Sequence, residues 1–217
     1  MELKKTGISG LDQYLGGGLP PIVVLLMGST DKGNETFARQ VALFRSKERS
    51  ITYFSVSKTP ESIKNDLSAY NLDVSIQEKV GRWKFVNLDM VSGSLKNTII
   101  GEMKKNRCVV LDSISELLLD HGNKEIFDLV SAMNKQNIET KELHFLLLTK
   151  GMQEPKIEVT LQYFAHGVID FETSWEAEGL SRNLMVHNMS GIIIPDYRLP
   201  YSIGTRGFMI ETATRIT

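Results

Sequence analysis

The sequence runs to 217 residues, room for one substantial domain, and is 41% hydrophobic and 24% charged. Twenty-five basic against 26 acidic residues give a net charge of −1, so composition demands neither nucleic acid nor an anionic membrane as partner. The lone Cys108 excludes an internal disulfide framework and a multi-cysteine zinc site, and no apolar run approaches the roughly 20 residues that span a bilayer. With no basic-then-apolar leader at the N-terminus, a cytoplasmic globular protein of one domain, 1–217, is expected.

In chain order, Thr6 to Pro20 holds a short helix, with Ser9 as its expected N-cap and Gly16 to Gly18 as its stop. The apolar run Ile22 to Met27 predicts a strand. Gly28-Ser29-Thr30-Asp31-Lys32-Gly33-Asn34-Glu35-Thr36 follows it and leads into a helix from Asn34 to about Lys47, with Phe37, Val41 and Phe44 on one face. Strand, glycine-rich loop and helix form the setting of a phosphate-binding loop, whose pattern is glycine, four residues, glycine, lysine, then serine or threonine. Gly28 and Gly33 stand at the required separation, but Asn34 takes the lysine position and Glu35 the hydroxyl position.

Ser50 to Val56 predicts a second strand, and Thr59-Pro60 opens a helix that runs to about Tyr70. Trp83 to Leu88 predicts a third strand, Leu95 to Lys105 a helix, and Cys108 to Leu111 a short buried strand ending at Asp112. Lys124 to Lys141 has helical periodicity through Ile126, Leu129, Val130 and Met133; His144 to Thr149 is a buried strand, and a short helix lies near Val159 to Phe164. Gly167 to Glu172, Asn183 to His187 and Gly207 to Glu211 are strands without helices between them. Alternating strands and helices followed by strands alone predict an α/β fold, a mostly parallel sheet flanked by helices with a C-terminal antiparallel extension.

Gly7-Ile-Ser-Gly-Leu-Asp-Gln-Tyr-Leu-Gly-Gly-Gly-Leu-Pro20, just before the loop strand, closely resembles the opening of KaiC-like and archaeal RadA-paralogue domains of the RecA superfamily. The likeness continues in Thr59-Pro-Glu-Ser-Ile63 and Asn71-Leu-Asp73, and in Val109-Val-Leu-Asp112, which looks like a Walker B strand. It extends to Ala165 through Ile169, Arg182 through Gly191 and Ile203 through Phe208, and so covers nearly the whole chain. The resemblance implies a RecA-like fold in which the loop lysine holds ATP phosphates. Magnesium would lie between the loop hydroxyl and Asp112, and a glutamate after the second strand would activate water. Here Ser57-Lys58 stand where that glutamate pair is usual, and Asn188 and Ser190 replace a basic pair that reaches a neighbouring subunit's nucleotide. Asp112 alone matches the catalytic set.

Losing a lysine–phosphate contact costs about 1.5–3 kcal/mol. A carboxylate about 4 Å from a phosphate adds about 4 kcal/mol of repulsion at an effective dielectric of about 20. A micromolar site is worth only about 8 kcal/mol, so these losses push it towards millimolar or worse. No catalytic residue and no cofactor are therefore expected, with ATP and magnesium only if the site functions. Asp31 or Glu35 is expected to place its own carboxylate at the helix N-terminus, plugging the loop from within. In the opposing reading Lys32 supplies a substitute ammonium and Thr36 the hydroxyl.

Asp112 is expected to bond locally at its strand end rather than hold a metal; Glu61 sits in the first turn of a helix, where an acid is stabilising anyway. His121, His144, His166 and His187 lack metal-ligand spacing. Lys150 to Lys156 and the cluster Lys104-Lys105-Asn106-Arg107 lack the interleaved aromatics of single-strand platforms, so a solvated surface is favoured over DNA. The expected function is a non-catalytic regulatory or scaffold subunit that pairs with itself or a RecA/KaiC-like paralogue. The alternatives are a weak or unconventional ATP-binding protein in signalling or DNA repair, and a DNA-binding accessory of recombination.

Overall fold

Val23–Gly28 (β1) is buried along all six residues and lies inside the sheet, between two parallel neighbours. The structure is a computed structural model and describes residues 1–31, 33–177, 179–194 and 197–211. The other parallel strands are Ile51–Ser55 (β2), Trp83–Asn87 (β3), Cys108–Asp112 (β4), His144–Thr149 (β5) and Gly167–Glu176 (β6). Gly179–Met189 (β7), Leu199–Gly204 (β8) and Gly207–Ile210 (β9) extend the sheet antiparallel, giving the order β3-β2-β4-β5-β1-β6-β7-β8-β9.

Alternation along β1 feeds two cores. Val24 and Leu26 join Phe37, Val41, Phe145 and Phe171 on one face, while Val23, Leu25 and Met27 join Ile99, Leu129 and Leu146 on the other. Gly33–Arg45 (α2) and Pro60–Ser68 (α3) cover the first face. Leu95–Lys104 (α5), Ile114–Asp120 (α6), Asn123–Thr140 (α7) and Pro155–Phe164 (α8) cover the second. Buried Ile126, Leu129, Val130 and Met133 give α7 its apolar stripe, and Lys141 ends it at φ 48°. Thr59 and Ser94 cap α3 and α5 through their hydroxyls.

Several boundaries differ from expectation. The first helix, Ser9–Tyr14 (α1), starts after Ile8, and Ser9 is its first residue rather than its cap. The ordering there comes from Asp12, whose carboxylate accepts from the Thr6 amide and hydroxyl at 2.8 and 2.7 Å. The five-residue helix Ser75–Lys79 (α4), with no buried residue, gives the sequence no periodic signal. β8, with Pro200 inside it, reads as loop, and Ile114 to Leu119 is too apolar for a helical stripe to stand out. The β6–β7 hairpin runs past the core on half-buried and exposed residues, so its alternation fades before the strands end.

Candidate nucleotide-loop site

The loop leaves β1 at Gly28 and enters α2 at Gly33. A β-carbon on Gly28 would lie 2.8 Å from Asn34 Cγ, so glycine is what lets Asn34 fold back against the strand. Asn34 is 4% exposed. Its Nδ2 donates to the carbonyls of Leu26 and Leu148, each at 3.3 Å, and its Oδ1 accepts from the Glu35 amide at 2.9 Å. The side chain at the lysine position thus points into the ends of β1 and β5.

The two candidate plugs part ways. Asp31 Oδ1 accepts from Ser29 Oγ at 3.0 Å and from the Gly33 amide at 3.4 Å, so one loop carboxylate does sit at the start of α2. Its Oδ2 accepts from Thr173 Oγ1 at 2.5 Å and from Arg182 Nε at 3.4 Å. Glu35 instead turns along its helix to Arg39 Nη2, 3.0 Å away one turn on, and to Lys58 Nζ at 2.8 Å. Glu35 is therefore no plug; two cations draw it from the helix end.

Asp112 is 2% exposed and its partners are distant in sequence, which corrects the expectation of local bonding. Oδ2 accepts from Tyr53 Oη at 2.5 Å and Arg39 Nη2 at 3.0 Å, and Lys58 Nζ lies 3.5 Å away. The neighbouring Ser113, not Asp112, caps α6. Arg39, 3% exposed, also donates to Tyr53 Oη at 2.9 Å and Asp66 Oδ2 at 3.1 Å. Burial disfavours its charge, but Tyr53, Asp112 and Glu35 outweigh that and raise its pKa above the ordinary value. Desolvation pushes the Tyr53 phenol well up. Ser55 Oγ donates to the Lys58 carbonyl at 2.8 Å, and the Ser57 amide donates to Glu116 at 3.0 Å, so the turn carrying Lys58 is fixed at both ends. Arg39 and Lys58 each span Glu35 and Asp112.

Of the remaining loop residues, Ser29 and Thr30 are exposed, Gly33 is buried, and Thr36 is buried within α2. Lys32 lies outside the described residues. Among the described residues no group of three or more His, Cys, Asp or Glu side chains is placed to hold a metal. Sequence reading missed Arg39 and Tyr53. The Glu35–Arg39 spacing was a visible signal; Tyr53 meets Asp112 only because β2 and β4 pair side by side.

Both basic segments considered for DNA are partly tied down. Lys150 Nζ is held by both Asp170 oxygens, at 3.0 and 2.8 Å, while Lys156 is exposed. Lys105 and Arg107 converge on buried Glu102 at 2.7 and 3.4 Å. Burial would raise that carboxylate, but bonds from Lys105 and Thr52 hold it down at about 2.

A model for a family of unknown function, DUF7125, matches residues 3–214. The chain belongs to that family. The DNA repair and recombination protein RadB of Pyrococcus furiosus is 28% identical over 188 residues, 79% of this chain and 81% of its own length. A UPF0273 protein of Aeropyrum pernix is 27% identical over 95% of this chain and 92% of its own. The crystal structure of a KaiC-like protein of Pyrococcus horikoshii OT3 superposes with a TM-score of 0.81 at 21% identity, over 97% of this chain and 99% of that one. The DUF7125 chain thus has the KaiC-like fold, and its kinship is with the KaiC-like and RadA-paralogue branch of the RecA superfamily.

Proposed function

We propose that this RadB-related chain is a non-catalytic regulatory or scaffold subunit, one domain over 1–217, whose nucleotide site is closed by its own side chains. The observation that carries the reading is the double bridge. A divalent ion between the Glu35 and Asp112 positions would meet Arg39 and Lys58, each already within 3.5 Å of both carboxylates. Asn34 offers a phosphate no ammonium and is committed to the strand ends. The residues present do not fit ATP with magnesium.

A domain without this chemistry acts through contacts, with a second copy or a RecA/KaiC-like paralogue as partner. The opening motif is weak support for that. Gly7 (φ +78°) packs on Phe44, and Gly18 (φ +134°) packs on the Lys4 carbonyl, so these glycines serve the chain's own packing. Two measurements test the reading: ATP turnover, and molar mass in solution with partner capture from the source lysate. We expect no turnover above buffer, and none that Asp112→Asn changes. Turnover abolished by Asp112→Asn would overturn the non-catalytic reading; a strict monomer that captures no partner would overturn the scaffold.

A second reading, an accessory of DNA recombination, is favoured by the similarity to proteins named for that process. Its test is single-stranded DNA affinity against salt. Lys156→Glu is the informative variant, since Lys150 is engaged by Asp170. A binding constant indifferent to salt and to Lys156→Glu would sink it.

A further inference from the structure

Asp31 does more than fill a helix end. Its two donors on one side, Ser29 and Gly33, belong to the loop and the start of α2. The two on the other, Thr173 and Arg182, come from β6 and β7, and those residues sit directly opposite one another in the antiparallel register. One carboxylate therefore joins the loop to both strands of the hairpin. Beyond this rung the hairpin leaves the core, and Trp175, two residues on, is 82% exposed.

A third wall comes from β8. Tyr201 is 2% exposed, and a β-carbon built on Gly33 would lie 2.4 Å from its hydroxyl. That hydroxyl neighbours Thr173, Asp31 and Arg182, yet among the described residues none meets it with full hydrogen-bond geometry. A buried hydroxyl so poorly matched, beside a helix N-terminus and an arginine, marks a place that suits more negative charge and more acceptor oxygens than a single carboxylate supplies.

We propose that Asp31 is an internal stand-in for a small oxyanion: it occupies an anion pocket walled by Gly33, Thr173, Arg182 and Tyr201, and in doing so latches the β6–β7 hairpin to the loop. The latch is set by the chain itself. Where a phosphate-type anion in such a pocket would make hairpin position depend on ligand, here position is fixed without one. This rests on the closed-site reading above.

The experiment compares the full-length chain with Asp31→Ala and Asp31→Asn, using inorganic pyrophosphate without metal or nucleoside as the probe. Hydrogen exchange over residues 173–182 reads the latch. Asp31→Ala is expected to speed hairpin exchange and to bind pyrophosphate about tenfold or more tighter than the unaltered chain, with binding restoring slow exchange. Asp31→Asn, which keeps an acceptor and loses the charge, should fall between. Unchanged exchange in a folded Asp31→Ala chain overturns the latch, and unchanged pyrophosphate affinity overturns the pocket. If Asp31→Ala does not fold, the pair Thr173→Val and Arg182→Gln tests the same latch from the hairpin side, and slow exchange there overturns it. An unaltered chain that binds ATP with magnesium defeats the closed-site reading instead, whatever Asp31→Ala does.

Discussion

At the scale of residues, the site is a set of charges that satisfy one another. Arg39 touches Glu35, Asp66, Asp112 and Tyr53, and it is buried, so removing it takes a cation from three carboxylates at once and leaves Lys58 to serve both Glu35 and Asp112. Breaking a buried pair from one side typically costs about 3–5 kcal/mol, whereas deleting both partners costs far less. Arg39→Met is therefore expected to lose about that much in urea unfolding, with Asp112→Asn in the same background recovering part of it. Additive losses would show that Arg39 and Asp112 are not coupled. Tyr53→Phe removes a donor to Asp112 and should cost about 1–3 kcal/mol by the same measurement. Asn34 and Glu35 were legible as departures from a loop pattern because that pattern is local. What Glu35 and Asp112 do instead was not legible. Their partners lie on β2, on α2 and after β2, and only the fold brings these together.

At the scale of elements, two features decide local order. The opening turn depends on Gly7 and Asp12. At Gly7 a β-carbon would lie 2.4 Å from Phe44 Cγ, while at Gly16 (φ +68°) it would meet nothing within 4 Å. Gly16→Ala should cost about 1–2 kcal/mol, from left-handed strain alone, and Gly7→Ala clearly more, as thermal melts would show. Equal losses would mean that Phe44 yields freely. The second feature joins β4 to β5, which pair in register only at Val110 with Phe145 and Leu111 with Leu146. Just beyond that pairing, His144 Nδ1 accepts from the Val109 amide, and its Nε2 meets Asn137 Oδ1, both at 3.0 Å.

Burial lowers the His144 pKa to about 3, so folding requires the neutral ring. The sign follows directly. Between pH 6.5 and about 3 the unfolded chain binds a proton there that the folded chain refuses, so stability falls as pH falls. The slope from this group is about 1.4 kcal/mol per pH unit, and His144→Gln should remove that increment from urea midpoints measured across the window. An unchanged slope would mean that His144 does not titrate on unfolding. Long periodic elements such as α7 and β5 were readable almost to the residue. The hairpin ends, α4 and β8 were not, because exposed ribbon, a five-residue helix and a proline-bearing strand carry no apolar rhythm.

For the whole molecule, the arrangement of strands followed from the alternation of elements, and the match to the KaiC-like structure bears out that architecture. No described helix is long and apolar enough to cross a membrane. The fold holds both cores and the loop frame in place, while the charges inside the frame are spent on one another. Calorimetric titration with ATP and magnesium tests this most directly, set beside an Asn34→Lys, Glu35→Thr variant that restores the ammonium and releases Lys58 from Glu35. The account predicts no heat from the unaltered chain and measurable binding by the variant. Micromolar binding by the unaltered chain would contradict it.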